Sequence, residues 1–575
     1  MSSAPPPPLT LHRRFGAGSA LRTGALAPYR RVQAVDGEPH AVRGDLTGGS
    51  VAGGWMGAGP PSGGRALLSV AHLTDLQLAD VQSPARYEFF NREYADHRFA
   101  KLIPAQRPQE AMTPHAVEAM VATLNRITGA PISGAPLQLA VTTGDAIDNA
   151  QWNELQAFLT LLDGGKVRPS SGGGRYEGVQ SQEWPDDIFW RPDGEGPGPG
   201  GPDGRPGPVG PDRYRSAYGF GHDPGLLERA LTSFTAGGLR MPWLACYGNH
   251  EALIQGVGVI TPGVVAALLG DRKPLHLPDD IDRDQALDLF TTESDVFLAG
   301  HNRLITPDRE RRPVTRRQFV QAHFATGARP DGHGFTERNR HDGTAYYTHD
   351  TPGVRLISLD TTCLAGAAAG SVDAAQLRWL EQQLIEVHGH YRAPDGSDVR
   401  TGHEDRLVVL FSHHGLDTLT NTRGRGDDGE PVVTSDDVLR LLHRFGNVVL
   451  WLSGHTHTNG VRPRGNPAEP GSGFWEVTTC AVIDWPCQTR LVELVDDGGG
   501  VLWVVCTMVD HDTPPVPASA PAWAYTDGDL ASLHRELAGN VPRAGFDSPL
   551  SGTPHDRNVV LPVRAPFPLG TLPTL

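Results

Sequence analysis

The chain has 575 residues and a formal charge of −16 at pH 7. That acidity argues against a general binder of nucleic acid or of anionic membranes. No apolar run approaches the roughly 20 residues that span a bilayer. Five cysteines, Cys246, Cys363, Cys480, Cys487 and Cys506, form no Cys-x-x-Cys pair and are too sparse for a disulfide framework. Reduced thiols in a cytoplasmic protein are the reading they favour. Arg13-Arg14 has the form of a twin-Arg export signal, but the stretch from Phe15 to Leu21 is short and weakly apolar, and Arg22 closes it.

Length alone allows several domains, but much of it is Gly- and Pro-rich. Residues 1–64 read as an irregular Pro/Gly/Arg-rich arm. Order begins with the apolar run Ala66 to Leu73, a buried strand ending in Thr74-Asp75-Leu76-Gln77. Thr113-Pro114 opens a helix, with Thr113 as the expected N-cap. Val117, Met120, Val121, Leu124 and Ile127 follow at helical spacing, and Gly129 stops it. The strand Leu137 to Val141 runs into Gly144-Asp145-Ala146-Ile147-Asp148, and a second helix reaches Leu162.

Residues 164–220 are of low complexity and read as a loop-like insert rather than a domain. Leu226 to Phe234 reads as a helix. Met241 to Tyr247 reads as a strand leading into Gly248-Asn249-His250-Glu251. A second insert, 252–342, has short helical patterns and an Arg-rich patch at 309–317 that reads as solvated surface. Strands are expected over Val354–Asp360 and Arg406–Phe411, the latter ending in Ser412-His413-His414, and helices over Ser371–Val387 and Thr434–Arg444. Late strands follow at Phe474–Ile483, Thr489–Leu494 and Val501–Met508. Residues 511–575 read as a Pro-rich, low-complexity extension of the 65–510 domain. Strand, polar loop and helix alternate, which argues for α/β layers with helices outside.

The centre of this pattern is Val448-Val449-Leu450-Trp451-Leu452-Ser453-Gly454-His455-Thr456-His457. An apolar strand ends in Gly, and two histidines two residues apart share one side of the chain. Neutral imidazoles so placed suit a transition metal. Five strand-end loops therefore carry candidate ligands: Asp75/Gln77, Asp145, Asn249, His413 and His455/His457. Open α/β sheets place their sites at such ends. Two metals need about four to six donors each, and a shared carboxylate can bridge them.

The five motifs, Asp75-Leu76-Gln77, Gly144-Asp145-Ala146-Ile147-Asp148, Gly248-Asn249-His250-Glu251, His413 and Gly454-His455-Thr456-His457, resemble in order those of the calcineurin-like metallophosphoesterases. Leu359-Asp360-Thr361 with Gln376-Leu377-Arg378-Trp379-Leu380 resembles the phosphodiesterase-like branch of that family, and the long inserts a bacterial branch. The resemblance implies a four-layer αββα sandwich of two mixed sheets flanked by helices, with long loop insertions. It implies two divalent or trivalent metal ions, such as Mn, Fe or Zn. Asp75, Gln77, Asp145 and His457 would surround one. Asp145, Asn249, His413 and His455 would surround the other. His250 would face the scissile phosphate, oriented by Asp148, and a hydroxide held between the metals would attack a small-molecule phosphoester in line. Gln77 departs from the family's usual His and offers a neutral oxygen. Two alternatives stand beside the diesterase: a phosphomonoesterase or nucleotidase, and a non-catalytic metal-binding scaffold that has begun to degenerate at Gln77. His72 reads as a core histidine, His414 as a hydrogen-bonding residue and Glu251 as a structural one. His222, His323, His333, His341 and His349 read mostly as surface residues.

Overall fold

The strand Leu407–Ser412 shows how a two-residue period builds this core. Val409 and Phe411 face one apolar cluster while Val408 and Leu410 face another. A strand buried on both faces reads as an unbroken apolar run, which is why it and Val448–Ser453 stand out in the sequence. The computed structural model describes residues 9–47, 64–198, 207–422, 424–426, 429–516 and 520–573. Parts of the expected arm and of the Gly-Pro run lie outside these residues.

The chain is a mixed α/β protein built on two large mixed sheets. One has seven strands in the order Trp243–Leu244, Leu139–Thr142, Arg65–Leu73, Gln488–Asp496, Val501–Asp510, Val559–Arg564 and Ala41–Val42. The first three run parallel to one another, and the Arg65–Leu73 strand is antiparallel to Gln488–Asp496. The other sheet has six: Tyr347–Thr351, Val354–Leu359, Leu407–Ser412, Val448–Ser453, Gly473–Thr478 and Gly460–Gly465, the middle four parallel. Leu67, Leu73, Phe411, Leu452 and Trp475 belong to one cluster, so the two sheets share a core. Helices Ala374–Ile385 and Ser435–Leu442 bring Leu380, Leu384, Val438 and Leu442 to the cluster that holds Val408 and Leu410. On the seven-stranded side, helix Thr113–Leu124 packs Val117, Met120 and Val121 into the core. The carboxyl ends of the parallel strands of both sheets carry all five candidate loops.

Several segments differ from the sequence reading. The described part of the N-terminal arm is a hairpin, Arg13–Arg22 against Tyr29–Asp36, whose Phe15 and Val32 pack on Trp485 and Ala538. The C-terminal extension is not coil. Helix Asp527–Asn540 packs on Thr113–Leu124, and Val559–Arg564 enters the seven-stranded sheet beside Val501–Asp510. Leu530, Leu533 and Leu537 lie at helical spacing behind a capping box, with the Thr526 side chain accepting from Asp529 N–H; Pro-rich flanks mask this signal. Thr113 is inside its helix rather than capping it, and its hydroxyl meets His534. The helix expected from Leu226 to Phe234 stops at Ala230, and Phe234–Ala236 pairs as a strand with Gly165–Val167. Residues 164–198 are anchored by buried Trp184, Phe189 and Trp190.

The Arg-rich patch is solvated only in part, at exposed Arg309 and Arg317. Arg311 is buried against Asp80, and the guanidinium of Arg312 lies 4.0 Å from the Trp152 ring centroid. His323 and His333 are buried as well, the latter stacked on Trp243 and paired with Asp163. His222 and His341 are exposed. Among the described residues no helix is long and apolar enough to cross a membrane.

Candidate metal centre

Three of the five candidate loops turn abruptly at the ends of their strands. Asp75, Gln77, Asp145, His455 and His457 all adopt positive φ, between 41° and 69°. Non-glycine residues rarely do so, and such strain gathers where the surroundings over-determine a side-chain position. The loops interlock through backbone hydrogen bonds, Gln77 N–H donating to the Asp145 carbonyl and Asp75 N–H to that of Gly144. The motif glycines make room for this. A Cβ on Gly454 would collide with Thr74 Oγ1 and Asp75 Oδ2, and one on Gly248 with Asp145. The buried Glu251 carboxylate ties two loops together, accepting the N–H groups of Asp145 (2.9 Å), Ala146 (2.7 Å) and Gly248 (2.7 Å).

Of the nine residues singled out in the sequence, Gln77, Asp145, Asp148, Asn249, His250, His455 and His457 line one cleft, and Asp75 and His413 are buried against His457 and Asp145 of that set. His457 donates from Nδ1 to Asp484 (2.6 Å), and its Nε2 faces Asp75 Oδ1 across 3.3 Å. His413 donates from Nδ1 to the Thr143 carbonyl (2.8 Å), leaving Nε2 3.0 Å from Asp145 Oδ2 and 3.2 Å from His455 Nδ1. Nitrogens and carboxylate oxygens facing each other at such distances hold either a proton or a metal ion between them. Burial disfavours the charged imidazoles, but the facing carboxylates outweigh it and raise His413 to about 9 and His457 to about 10. Burial and neighbouring His413 lower His455 to about 3. Two further acceptors, Gln77 Oε1 and Asn249 Oδ1, are buried without a hydrogen-bond partner. Asn249 is oriented by donating from Nδ2 to the Gly256 carbonyl (2.9 Å). Ligand atoms of Asp75, Asp145 and His413 lie within 4.8 Å of one another, as do those of His413, His414 and His455. Orphaned oxygens and imidazole nitrogens converging in this way fit bound transition or alkaline-earth metals.

No family model matches the sequence, and neither does any curated protein. Among solved structures, the fold search finds a dimetal phosphatase from Danio rerio, 11% identical, covering 78% of this chain and 97% of that one, with a TM-score of 0.36. It also finds a purple acid phosphatase from yellow lupin (Lupinus luteus) seeds, 9% identical, covering 78% of this chain and 52% of that one, with a TM-score of 0.26.

His250 stands at the edge of the donor set. Its Nδ1 donates to the Asp148 carbonyl (2.9 Å) with the Asp148 carboxylate at 3.5 Å, and its Nε2 lies 3.8 Å from Asp145. Burial opposes its charged form, and Asp145 and Asp148 outweigh burial to raise its pKa. The amide nitrogen of Gln77 is 3.2 Å from His250 Nε2 and 3.3 Å from His457 Nε2. His72 is fully buried between Thr143 and Thr479, as a satisfied core histidine. His414 bonds Thr361 through Nδ1 (3.0 Å), while its Nε2 is buried and has no hydrogen-bond partner.

Sequence reasoning missed Asp484, Arg107, Arg86 and Glu110. Asp484 accepts the hydrogen bond from His457 Nδ1, Arg107 grips Asp484 through two nitrogens (2.7 and 3.0 Å), and Arg86 pairs with Asp148. No motif spacing links these positions; the one available signal was the density of charge in a segment that buries aromatics. The cleft has a volume of about 330 Å³. Its mouth is lined by partly exposed Ile103, Val257, Ala544 and Leu550, from three segments that carry no candidate ligand.

Proposed function

We propose that this protein is a metal-dependent hydrolase of small-molecule phosphoesters, with phosphodiesters preferred, built on a four-layer αββα frame. The carrying observation is the convergence of imidazole nitrogens and carboxylate oxygens at 3.0–3.3 Å, His457 with Asp75 and His413 with Asp145 and His455, beside the unpartnered Gln77 Oε1 and Asn249 Oδ1. Asp75, Gln77, Asp145 and His457 would hold one metal ion, and Asp145, Asn249, His413 and His455 the other. When bound, such ions supply Lewis acidity, neutralising phosphoryl charge and lowering the pKa of coordinated water.

The chain's own groups then divide the work. Asp145 and Asp148 favour a proton on His250 Nε2, which points into the cleft. That N–H serves the phosphoryl oxygen or the departing alkoxide as charge develops. Asp148 fixes the ring through Nδ1, so the proton is delivered at one atom. The apolar mouth formed by Ile103, Val257 and Leu550 gives the second substituent of a diester a place to lie.

The deciding experiment uses metal-stripped protein with Mn added back, on bis(p-nitrophenyl) phosphate and on p-nitrophenyl phosphate, beside His413→Ala. Mn-dependent turnover, faster on the diester and lost in the variant, is the expected result. Turnover confined to the monoester would replace the diesterase by a monoesterase. Two bound metals with no turnover on a broad phosphoester panel would favour a non-catalytic scaffold.

A further inference from the structure

An unbroken line of alternating charge runs beneath one wall of the cleft. It starts at His250, whose Nδ1 lies 3.5 Å from the Asp148 carboxylate. Asp148 meets Arg86 at 3.0 Å, and Arg86 meets Glu110 at 2.8 Å. Glu110 stands 3.8 Å from Arg107, which holds Asp484 through Nε and Nη2. Asp484 closes the line on His457 Nδ1 at 2.6 Å. Every side chain between the two histidines is at most 10% exposed. Arg86, Arg107 and Glu110 come from one stretch, the long connection between strand Arg65–Leu73 and helix Thr113–Leu124, downstream of the candidate ligands Asp75 and Gln77 with which it begins.

Burying five charged groups in a row between two histidines costs much desolvation, and replacing buried ion pairs by hydrophobic groups of the same shape is often neutral or stabilising. The line therefore needs a reason other than stability. Its two ends supply one, since each terminates on the Nδ1 of a histidine whose Nε2 enters the cleft. A carboxylate on the far nitrogen of a liganding histidine fixes its tautomer and ring angle and raises its basicity. Arg107 holds the Asp484 carboxylate in its plane by a two-pronged grip, which a lysine cannot reproduce.

We propose that Arg107, Glu110 and Arg86 are positioning residues that set the two histidines against each other: Arg107 orients His457 through Asp484, Arg86 orients His250 through Asp148, and Glu110 joins the arginines. This inference rests on the metal-centre reading above. Its consequence is selective. Loosening Arg107 weakens the position served by His457 and leaves the one served by His413, His455 and Asn249 alone.

The test is equilibrium dialysis of Mn into metal-stripped wild type, Arg107→Lys and Asp484→Asn, with near-UV circular dichroism to establish that each is folded. Wild type is expected to bind two ions. In both variants one step of the isotherm should weaken about 10–100-fold, while the other stays within about threefold. The same dialysis in a His413→Ala background should retain only the step that Arg107→Lys shifts. Glu110→Gln at saturating Mn should lower kcat with KM little changed, because the substrate's own contacts persist. Unchanged isotherms in a folded Arg107→Lys or Asp484→Asn would overturn the inference, as would equal weakening of both steps, the mark of a merely structural part. Should Arg107→Lys fail to fold, Asp484→Asn decides. Fewer than two ions on wild type would instead overturn the metal centre itself, and this inference with it.

Discussion

Asp145 Oδ2 lies 3.0 Å from Nε2 of His413, while its other oxygen accepts the backbone N–H of His250 at 3.0 Å. One carboxylate thus spans the donor set and the loop that carries the proposed acid. Removing its charge acts on both. Asp145→Asn is expected to retain the fold, lose tight binding of both Mn ions in dialysis and lower kcat/KM by at least about 10³, the combined effect of losing a shared ligand and the field on His250.

His250 holds no position in either proposed ligand set, so its removal separates chemistry from metal loading. His250→Ala should keep Mn stoichiometry and KM near wild type while kcat falls by roughly 10²–10⁴, the range of a single general acid. Equal kcat in the two proteins would remove His250 from the mechanism. Stopped-assay rates at saturating Mn, with metal content measured on the same samples, make the comparison.

Gln77 gives the first proposed position three oxygens and one imidazole nitrogen, against two of each in the second. Softer, nitrogen-preferring metals gain most from an added imidazole. Gln77→His is expected to tighten Zn binding more than Mn binding at one of the two steps, read by competition dialysis. Equal gains for both metals would show that position 77 does not touch the ion.

Asp80 lies away from the cleft and reports on acid stability. It is fully buried beside Arg311 (3.4 Å), accepts from Ser170 Oγ and Asn153 Nδ2 (2.9 Å each), and has Glu154 as a like-charged neighbour. Burial alone would raise its pKa; Arg311 and the hydrogen bonds outweigh burial and bring it down to about 2. A folded-state value below the ordinary one gives stability that is complete above about pH 4 and is lost as pH falls through about 2, worth roughly 2–3 kcal/mol. Asp80→Asn should lower Tm at pH 7 and flatten the fall of Tm between pH 4 and 2. A parallel fall in both proteins would assign acid sensitivity elsewhere.

Much of the site was legible because each donor ends an apolar run. Asp75 follows Ala66 to Leu73, His413 follows Leu407 to Phe411, and His455 follows Val448 to Leu452. Burial on both sheet faces writes itself into such runs. Asp484 and Arg107 were not legible, because 377 positions separate them and only tertiary packing joins them. The positive φ of Asp75 or His457 leaves no trace in composition. The hairpin at Arg13–Asp36 was hidden for a different reason: two buried residues, Phe15 and Val32, anchor it among arginines and glycines. The tail helix carried its full signal, Thr526-x-x-Asp529 ahead of Leu530, Leu533 and Leu537, but sat between proline-rich stretches.

The strand Val559–Arg564 lies between Val501–Asp510 and the short Ala41–Val42, so the beginning and the end of the chain meet in one sheet. During synthesis every proposed ligand has been made by residue 457, yet the flank of Val501–Asp510, once made, must wait for about fifty more residues before Val559–Arg564 covers it. An uncovered strand edge is a template for pairing with other chains, and domains are most exposed to such errors while still incomplete. Ribosome-stalled chains ending near residue 545 are therefore expected to be aggregation-prone, and full-length chains released from the ribosome are not. Sedimentation of the two would show whether the last strand is what makes the nascent protein safe.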